Sequence, residues 1–237
     1  MRTVIVIPTY NEKNNLRKLV EAISRQKQEL DILIVDDNSP DGTGVLADEM
    51  SREYQNLKVL HRKNKTGLGR AYVEGFKWAL TNGYEIIMQM DADLSHDPNA
   101  IPEFLDKIKD FDAVFGSRYL KGVRVYNWSF KRLLLSKFSN LFISTMLKLE
   151  TTDTTTAFKC FRRKVLESID LDRLKGHQNA FLIELVYRVV KAGFRTTEIP
   201  FMFIERESGE SKIEFKVAME ALFTVFMLMM TRVKRLN

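Results

Sequence analysis

Asp91 and Asp93 stand one residue apart in the stretch Gln89-Met90-Asp91-Ala92-Asp93-Leu94-Ser95-His96-Asp97, directly after the apolar run Ile86-Ile87-Met88. Residues i and i+2 of an extended segment point to the same side. A strand ending in this way would turn two carboxylates outward at the carboxyl edge of a sheet. Hard cations such as Mg2+ and Mn2+ take oxygen ligands and are commonly shared between one or two carboxylates and substrate phosphates. The pair therefore reads as a candidate metal site, with a solvated strand end as the plain alternative that spacing alone does not exclude.

Other polar groups also stand where apolar runs stop. Pro8-Thr9-Tyr10-Asn11-Glu12 follows Val4 to Ile7, and Asp36-Asp37-Asn38-Ser39-Pro40-Asp41-Gly42-Thr43 follows Ile32 to Val35. The basic loop from His61 to Arg70 brings Lys63, Lys65 and Arg70 within reach of a phosphate, although most such loops are simply solvated. Gly67 and Gly69 match neither the dinucleotide nor the P-loop fingerprint and are read as shaping the backbone. Arg118, just after Gly116-Ser117, offers a guanidinium fork suited to a diphosphate or an acceptor phosphate.

The elements that must position these groups alternate between strand and helix. Strands are expected at Thr3 to Ile7, Ile32 to Val35, Leu57 to Leu60, around Ile86 to Met88, and at Asp112 to Gly116. Between them, Leu16-Leu19-Val20-Ile23, Leu46-Met50-Tyr54, Ala71-Tyr72-Gly75-Phe76-Ala79 and Ile101-Phe104-Leu105-Ile108 mark helical faces by their spacing. Asn11 is the expected N-cap of the first helix. Phe194 to Ile204 reads as a strand interrupted by Pro200, hence an edge strand. The pattern predicts an α/β fold, a Rossmann-like, mostly parallel sheet flanked by helices. Ligands of such sheets bind beyond the carboxyl ends of the strands. The polar groups after the strands can converge there.

Composition sets the outer limits. The 237 residues carry a net charge of +6 with 45% apolar residues, enough for a sizeable core. The basic residues are spread out, which argues against nucleic acid and leaves room for an anionic substrate or a membrane surface. The lone Cys160 permits no intrachain disulfide and fits a reducing compartment. Arg2-Thr3 leads at once into Val4-Ile5-Val6-Ile7, which is read as a strand and not a leader. No apolar run reaches the roughly 18 or more residues of a spanning helix. The nearest approach, Val217 to Met230, contains Glu220.

Together with Asn64-Lys65-Thr66-Gly67-Leu68-Gly69 and Gly116-Ser117-Arg118-Tyr119, the strand-end motifs above resemble family 2 glycosyltransferases of the GT-A fold. Within that family the chain is similar to the branch that mannosylates dolichyl phosphate. The resemblance runs from residue 3 to about residue 212 and rests on separated motifs in the right order. Ala157 departs from it, standing where the family often has Gly. Many members also carry carboxyl-terminal membrane helices with no counterpart in this sequence.

The resemblance implies a nucleotide-diphosphate sugar bound by Pro8, Tyr10, Glu12, Val35, Asp37, Asp91, Ala92, Asp93, Arg118, Arg206 and Lys212, with Mg2+ or Mn2+ on Asp91 and Asp93. Each position makes chemical sense in its own right. Tyr10 can stack on a base, and Glu12 and Asp37 can accept from base N–H groups or ribose hydroxyls. Adjacent strand residues face opposite ways, so Asp37 is assigned to the nucleotide and Asp36 to the turn. Arg206 and Lys212, in the charged loop from Glu205 to Lys212, are expected to close over the diphosphate.

On a helix, Phe130, Leu134, Phe138, Leu141, Phe142 and Met146 make one greasy stripe, while Ser129, Arg132, Ser136 and Ser139 or Asn140 share another face. This is either an ordinary core helix or an interfacial helix whose polar side, through Arg132 and Ser136, receives a lipid-linked phosphate. The family comparison favours the second. Asp153, near the acceptor side in relatives, is not read as a general base, because a phosphate monoester with a second pKa of about 6 is already anionic. The tail from Ile213 to Asn237, apolar and ending in Arg232, Lys234 and Arg235, suits an anionic membrane surface. It would equally suit the enzyme's own body or a membrane-embedded partner subunit.

The expected protein is an inverting, metal-dependent transferase, peripheral on the cytoplasmic face of a membrane. It would move mannose from GDP-mannose to dolichyl or another polyprenyl phosphate. Residues 1–212 would form the catalytic domain and 213–237 a membrane-associated helix. A UDP-glucose-dependent polyprenyl-phosphate glucosyltransferase, a soluble transferase acting on a saccharide hydroxyl, and a nucleotide-binding module without turnover are the alternatives.

Overall fold

The computed structural model describes residues 1–174, 178–205 and 215–230. Along the chain come β1 (Thr3–Thr9), α1 (Lys13–Ser24), β2 (Asp31–Asp36), α2 (Thr43–Glu53), β3 (Leu57–His61), α3 (Leu68–Thr81), β4 (Ile86–Gln89) and α4 (Ile101–Lys107). They are followed by β5 (Ala113–Ser117), β6 (Val125–Tyr126), α5 (Phe130–Leu147), β7 (Lys159–Arg162), α6 (Arg163–Ser168), α7 (Gln178–Lys191), β8 (Thr196–Pro200), β9 (Phe203–Ile204) and α8 (Phe215–Met230).

The main sheet has the order β3-β2-β1-β4-β7-β5-β8. Every pairing in it is parallel except those of β7, which runs antiparallel between β4 and β5. The mostly parallel α/β sheet expected from the sequence is therefore present. β1 is buried along its whole length, because its alternate side chains enter two different cores. Val4 and Val6 pack with the α3 and α7 side, and Ile5 and Ile7 with the α1, α2 and α4 side. Burial on both faces is what turns the strand sequence into a continuous apolar run. Gly75 lets α3 lie tight on this sheet: a Cβ there would come within 2.3 Å of Val6 Cγ1.

Strand order runs outward from β1 through β2 to β3 and restarts at β4 on the other side of β1. The crevice at this switch point lies beyond the carboxyl ends of β1 and β4. The Pro8–Tyr10 segment and the Asp91–Asp93 turn therefore flank it.

Two local expectations are corrected. Asn11 does not cap α1: it has a left-handed φ of 60°, and the helix begins at Lys13 without a side-chain cap from Glu12. Its first N–H groups are satisfied from the loop after β2, with Thr43 Oγ1 accepting from Glu12 N at 3.0 Å and Asp41 Oδ2 from Lys13 N at 3.2 Å. The Phe194–Ile204 strand is split into β8 and β9, since Pro200 ends the edge strand and the chain then leaves the sheet to pair with β6.

α5, for which the sequence left a core and an interfacial reading open, is not an ordinary core helix. Asn140, Ile143 and Leu147 are buried, whereas Phe130 is 72% exposed, Phe138 65% and Leu141 62%. The buried side combines Ile143 and Leu147 with one polar group that needs partners: Asn140 Oδ1 accepts from Thr154 N at 2.8 Å and from Thr154 Oγ1 at 3.0 Å. α8 packs beside it, burying Val225 and Leu228 while Phe223, Phe226 and Met230 stay exposed. Among the described residues no helix is long and apolar enough to cross a membrane. Arg232, Lys234 and Arg235, and the boundary expected at residues 212 and 213, lie outside the described residues.

Candidate active site

Pro8 and Val35 are register partners on β1 and β2, both buried, so their backbones form one wall of the crevice. Just beyond, Asp36 and Asp37 diverge as strand geometry requires. Asp36 accepts from Thr9 Oγ1 at 3.1 Å and from Ser39 N at 3.0 Å, and so ties the ends of β1 and β2 to the turn. Asp37 faces the other way and is paired with Arg62, their side chains only 6% and 3% exposed. Arg62 also reaches Glu74 Oε1 at 2.9 Å and Thr66 Oγ1 at 2.5 Å. This cation was missed because the loop after β3 was judged by its exposed lysines. The strand register, in which His61 pairs with Asp36, sets Arg62 beside Asp37, and no pattern along the chain marks it.

The Tyr10 ring is not core packing. It is half-buried at the crevice, with Lys65 Nζ 3.5 Å from its centroid. A cation on a ring face occupies the place where a base would stack. Glu12 accepts from Asn15 Nδ2 at 2.8 Å. Pro8, Tyr10, Glu12, Val35 and Asp37 all stand at or just after the ends of the paired strands β1 and β2, on one side of the crevice.

On the other side, β4 pairing stops at Gln89 and a bend covers residues 92–94, so Asp91 stands just before the bend and Asp93 within it, not both on one extended segment as the spacing suggested. Asp93 is buried, its Oδ1 accepting from Ser95 N at 3.0 Å, and Leu94 turns the chain through a φ of 62°. Ala92, between the two acids, is buried. Asp91 is more open, its side chain 26% exposed. Tyr72 donates to Asp91 Oδ1 at 2.9 Å; burial, then the nearby Asp91 charge, raises the Tyr72 pKa well above 10, so the phenol keeps its proton.

His96 holds the Asp91 main chain from behind. Its Nδ1 accepts from Asp91 N at 3.1 Å, which places the ring proton on Nε2, 4.0 Å from Asp91 Oδ2. Burial lowers its pKa to about 4 against the opposing pull of Asp93. The imidazole is therefore neutral and stacked on Phe158. The outcome is two hard oxygen donors held at a strand end by neutral partners. That donor set fits a Mg2+ or Mn2+ ion completed by phosphate oxygens and water.

Arg118 lies deeper than expected. Its fork is filled by Asp153, with Nε to Oδ2 at 2.6 Å and Nη2 to Oδ1 at 2.7 Å, and the Asp153 side chain is fully buried. Nε and Nη2 of Arg118 are thus already engaged in a bidentate internal pair, and the residue holds the site wall from within. Burial works against the Asp153 charge, but contact with Arg118 wins and holds its carboxyl below the usual range. Glu198 fixes the turn, accepting from Thr152 N at 2.9 Å and Asp153 N at 3.1 Å. Burial lowers the Lys159 pKa to about 7, opposed by Asp153 and Asp91, and its ammonium donates to Thr156 O.

Arg132 and Ser136 reach the same wall from α5. Arg132 pairs with Glu205 and lies 4.2 Å from the Trp128 ring centre, and Tyr119 Oη donates to Ser136 Oγ at 2.6 Å. Sequence reading had singled out neither Tyr119, Trp128 nor Glu205 as partners, nor Tyr72, whose spacing marked it as core. Arg206 and Lys212 lie outside the described residues.

A family model described as glycosyl transferase family 2 matches residues 4–170. The chain is 42% identical over 226 residues to the polyprenol monophosphomannose synthase of Mycolicibacterium smegmatis, covering 94% of this chain and 85% of that one. It is 40% identical over 225 residues to the undecaprenyl-phosphate mannosyltransferase of Micrococcus luteus, covering 95% and 93%. Among solved structures it is similar to glucosyl-3-phosphoglycerate synthase from Mycobacterium tuberculosis in complex with Mn2+, uridine diphosphate and phosphoglyceric acid. That match has a TM-score of 0.74 at 12% identity and covers 96% of this chain and 78% of the other. At that identity the likeness speaks for the GT-A fold alone. With the matched family model spanning most of the chain, and the strand-end acids and nucleotide-side wall in place, the protein belongs to glycosyltransferase family 2.

Proposed function

We propose that the protein transfers mannose from GDP-mannose to the phosphate of a polyprenyl monophosphate such as dolichyl phosphate, with inversion. The names of the two curated relatives support mannosyl transfer to a polyprenyl phosphate. One observation in this chain carries the acceptor assignment: α5 exposes Phe130, Phe138 and Leu141 while Arg132 and Ser136, on the same helix, are held at the site wall. A lipid-linked anion needs that combination, an apolar surface for its tail beside donors for its head.

The roles follow from charge. Asp91 and Asp93 would hold Mg2+ or Mn2+ against the donor diphosphate, and the ion would supply neutralisation of the charge that builds on the leaving group. Pro8, Tyr10, Glu12, Val35 and Asp37 bind the nucleoside, with Tyr10 against the base. Arg132 and Ser136 orient the acceptor phosphate, and Arg118, locked by Asp153, keeps that wall rigid. Arg206 and Lys212 offset the charge of the departing nucleotide. The acceptor is already anionic at neutral pH, so attack needs no base. Inversion follows from a single displacement, with the acceptor oxygen entering opposite the diphosphate.

The exposed sides of α5 and α8 would rest on the cytoplasmic face of a membrane, with residues 1–212 as the catalytic body and 213–237 as the membrane-associated helix. Radiolabelled GDP-mannose incubated with dolichyl phosphate and Mg2+ tests the reaction. Label should pass into organic solvent and should not do so with Asp91→Ala. Absence of transfer above that control rejects the reaction, and transfer only from labelled UDP-glucose reassigns the donor.

A further inference from the structure

Arg132 and Ser136 are four residues apart on α5 and so share one face. Both already have partners. Arg132 Nη1 is paired with the Glu205 carboxylate, the two side chains 22% and 19% exposed. Ser136 is bonded to Tyr119. Beside them, the Trp128 Nε1–H is buried with no acceptor among the described residues. Glu205 reaches this cluster from the end of β9, its own N–H donating to Tyr126 O at 3.3 Å. Its carboxylate thus sits on the Arg132 guanidinium, which lies 4.2 Å from the Trp128 ring centre and shares its helix face with the Ser136 hydroxyl, a wall of donors suited to an oxyanion.

We propose that Glu205 is a placeholder anion, its carboxylate occupying on Arg132 the position taken by the acceptor phosphate, and that it must leave for the acceptor to bind. The inference rests on the assignment of Arg132 and Ser136 to the acceptor. A carboxylate and a phosphate offer a guanidinium the same acceptor-only oxygens, and two anions do not share one such fork without repulsion. The pair keeps Arg132 neutralised while the site is empty, where an unpaired, partly buried cation would be costly. It also sets a threshold. A phosphate monoester, with more charge and three strong acceptor oxygens, displaces a carboxylate, whereas singly charged solution anions compete poorly.

Glu205→Gln keeps the shape and removes the charge. In steady-state assays with GDP-mannose and dolichyl phosphate in detergent, its acceptor KM should fall roughly threefold to tenfold, equivalent to about 0.6–1.4 kcal/mol. The donor KM should stay unchanged, and inorganic phosphate should become a stronger competitive inhibitor. Glu205→Ala should behave alike, and neither should alter the acceptor KM further in an Arg132→Ala background. If Arg132→Ala raises the acceptor KM but Glu205→Gln leaves it unchanged or raises it, the placeholder is rejected and the acceptor assignment survives. An acceptor KM indifferent to Arg132→Ala rejects the assignment and the placeholder together. Loss of kcat in Glu205→Gln at unchanged acceptor KM would make the carboxylate a base and also overturn the proposal.

Discussion

Asp153 grips Arg118 through both carboxylate oxygens and also accepts from the Arg118 backbone N–H at 3.1 Å, so side chain and main chain are fixed by one buried acid. The guanidinium is in turn surrounded by Tyr119, Trp128 and Phe203, with its carbon 5.4–5.5 Å from the three ring centres. Glu198 secures the turn behind Asp153. This wall is therefore a set of fixed charges supporting one another.

Removing one member of this pair leaves an uncompensated buried charge, which costs about 3–5 kcal/mol. Asp153→Ala should lose that much stability in urea melts, and Arg118→Met a similar amount. The double variant Asp153→Ala with Arg118→Met should lose clearly less than the sum. Additive losses would mean that the two groups do not depend on each other. Because the Asp153 pKa is depressed on folding, its contribution is full above the unfolded value of about 3.9 and disappears as pH falls below it.

Tyr72→Phe retains the ring, stacked at 5.9 Å on both Phe76 and Phe181, and deletes only the hydroxyl on Asp91. Loss of an outer partner of a metal ligand typically costs ten- to a hundredfold in metal affinity or activity. The Mn2+ concentration for half-maximal rate should rise by about that factor while the melting temperature moves little. An unchanged Mn2+ dependence would remove Tyr72 from the orientation of Asp91.

Lys159 has a folded pKa of about 7, well below the unfolded value of about 10.4. Between those values the unfolded chain binds the extra proton, so this residue makes stability rise with pH, by at most about 1.4 kcal/mol per unit. Below pH 7 both states are protonated and its contribution is flat. Urea midpoints at pH 7, 8 and 9 should climb more steeply in wild type than in Lys159→Met. Parallel curves would show that Lys159 carries its full charge in the fold.

The exposed stripe of α5 should matter for lipid and not for folding. Phe138→Ser with Leu141→Ser removes side chains that are 65% and 62% exposed, so stability should shift by no more than about 0.5 kcal/mol per site. Co-sedimentation with vesicles containing anionic lipid should fall several-fold. Unaltered vesicle binding would place the membrane contact elsewhere.

Local pattern revealed much of the scaffold. The apolar runs of β1 and β2, the helical faces and Pro200 at the sheet edge were legible because each depends on nearby residues and on burial alone. The strand-end positions of Tyr10, Asp37 and Asp91 followed from the same reading. The capping of α1 did not, since its partners Asp41 and Thr43 come from the segment after the neighbouring strand β2. Nor did the choice between a core and an interfacial α5, which turns on whether Asn140 or Phe138 has a buried partner.

By itself the sequence determined which groups stand at strand ends, because a strand's length and its alternation are local properties of the chain. The tertiary structure alone decided which of those groups are already spent. Arg118 looked like a free fork until Asp153 was brought under it, and Arg132 until β9 delivered Glu205. Charges find their partners through space, across separations of 35 and 73 residues here, and no periodicity along the chain encodes such a meeting.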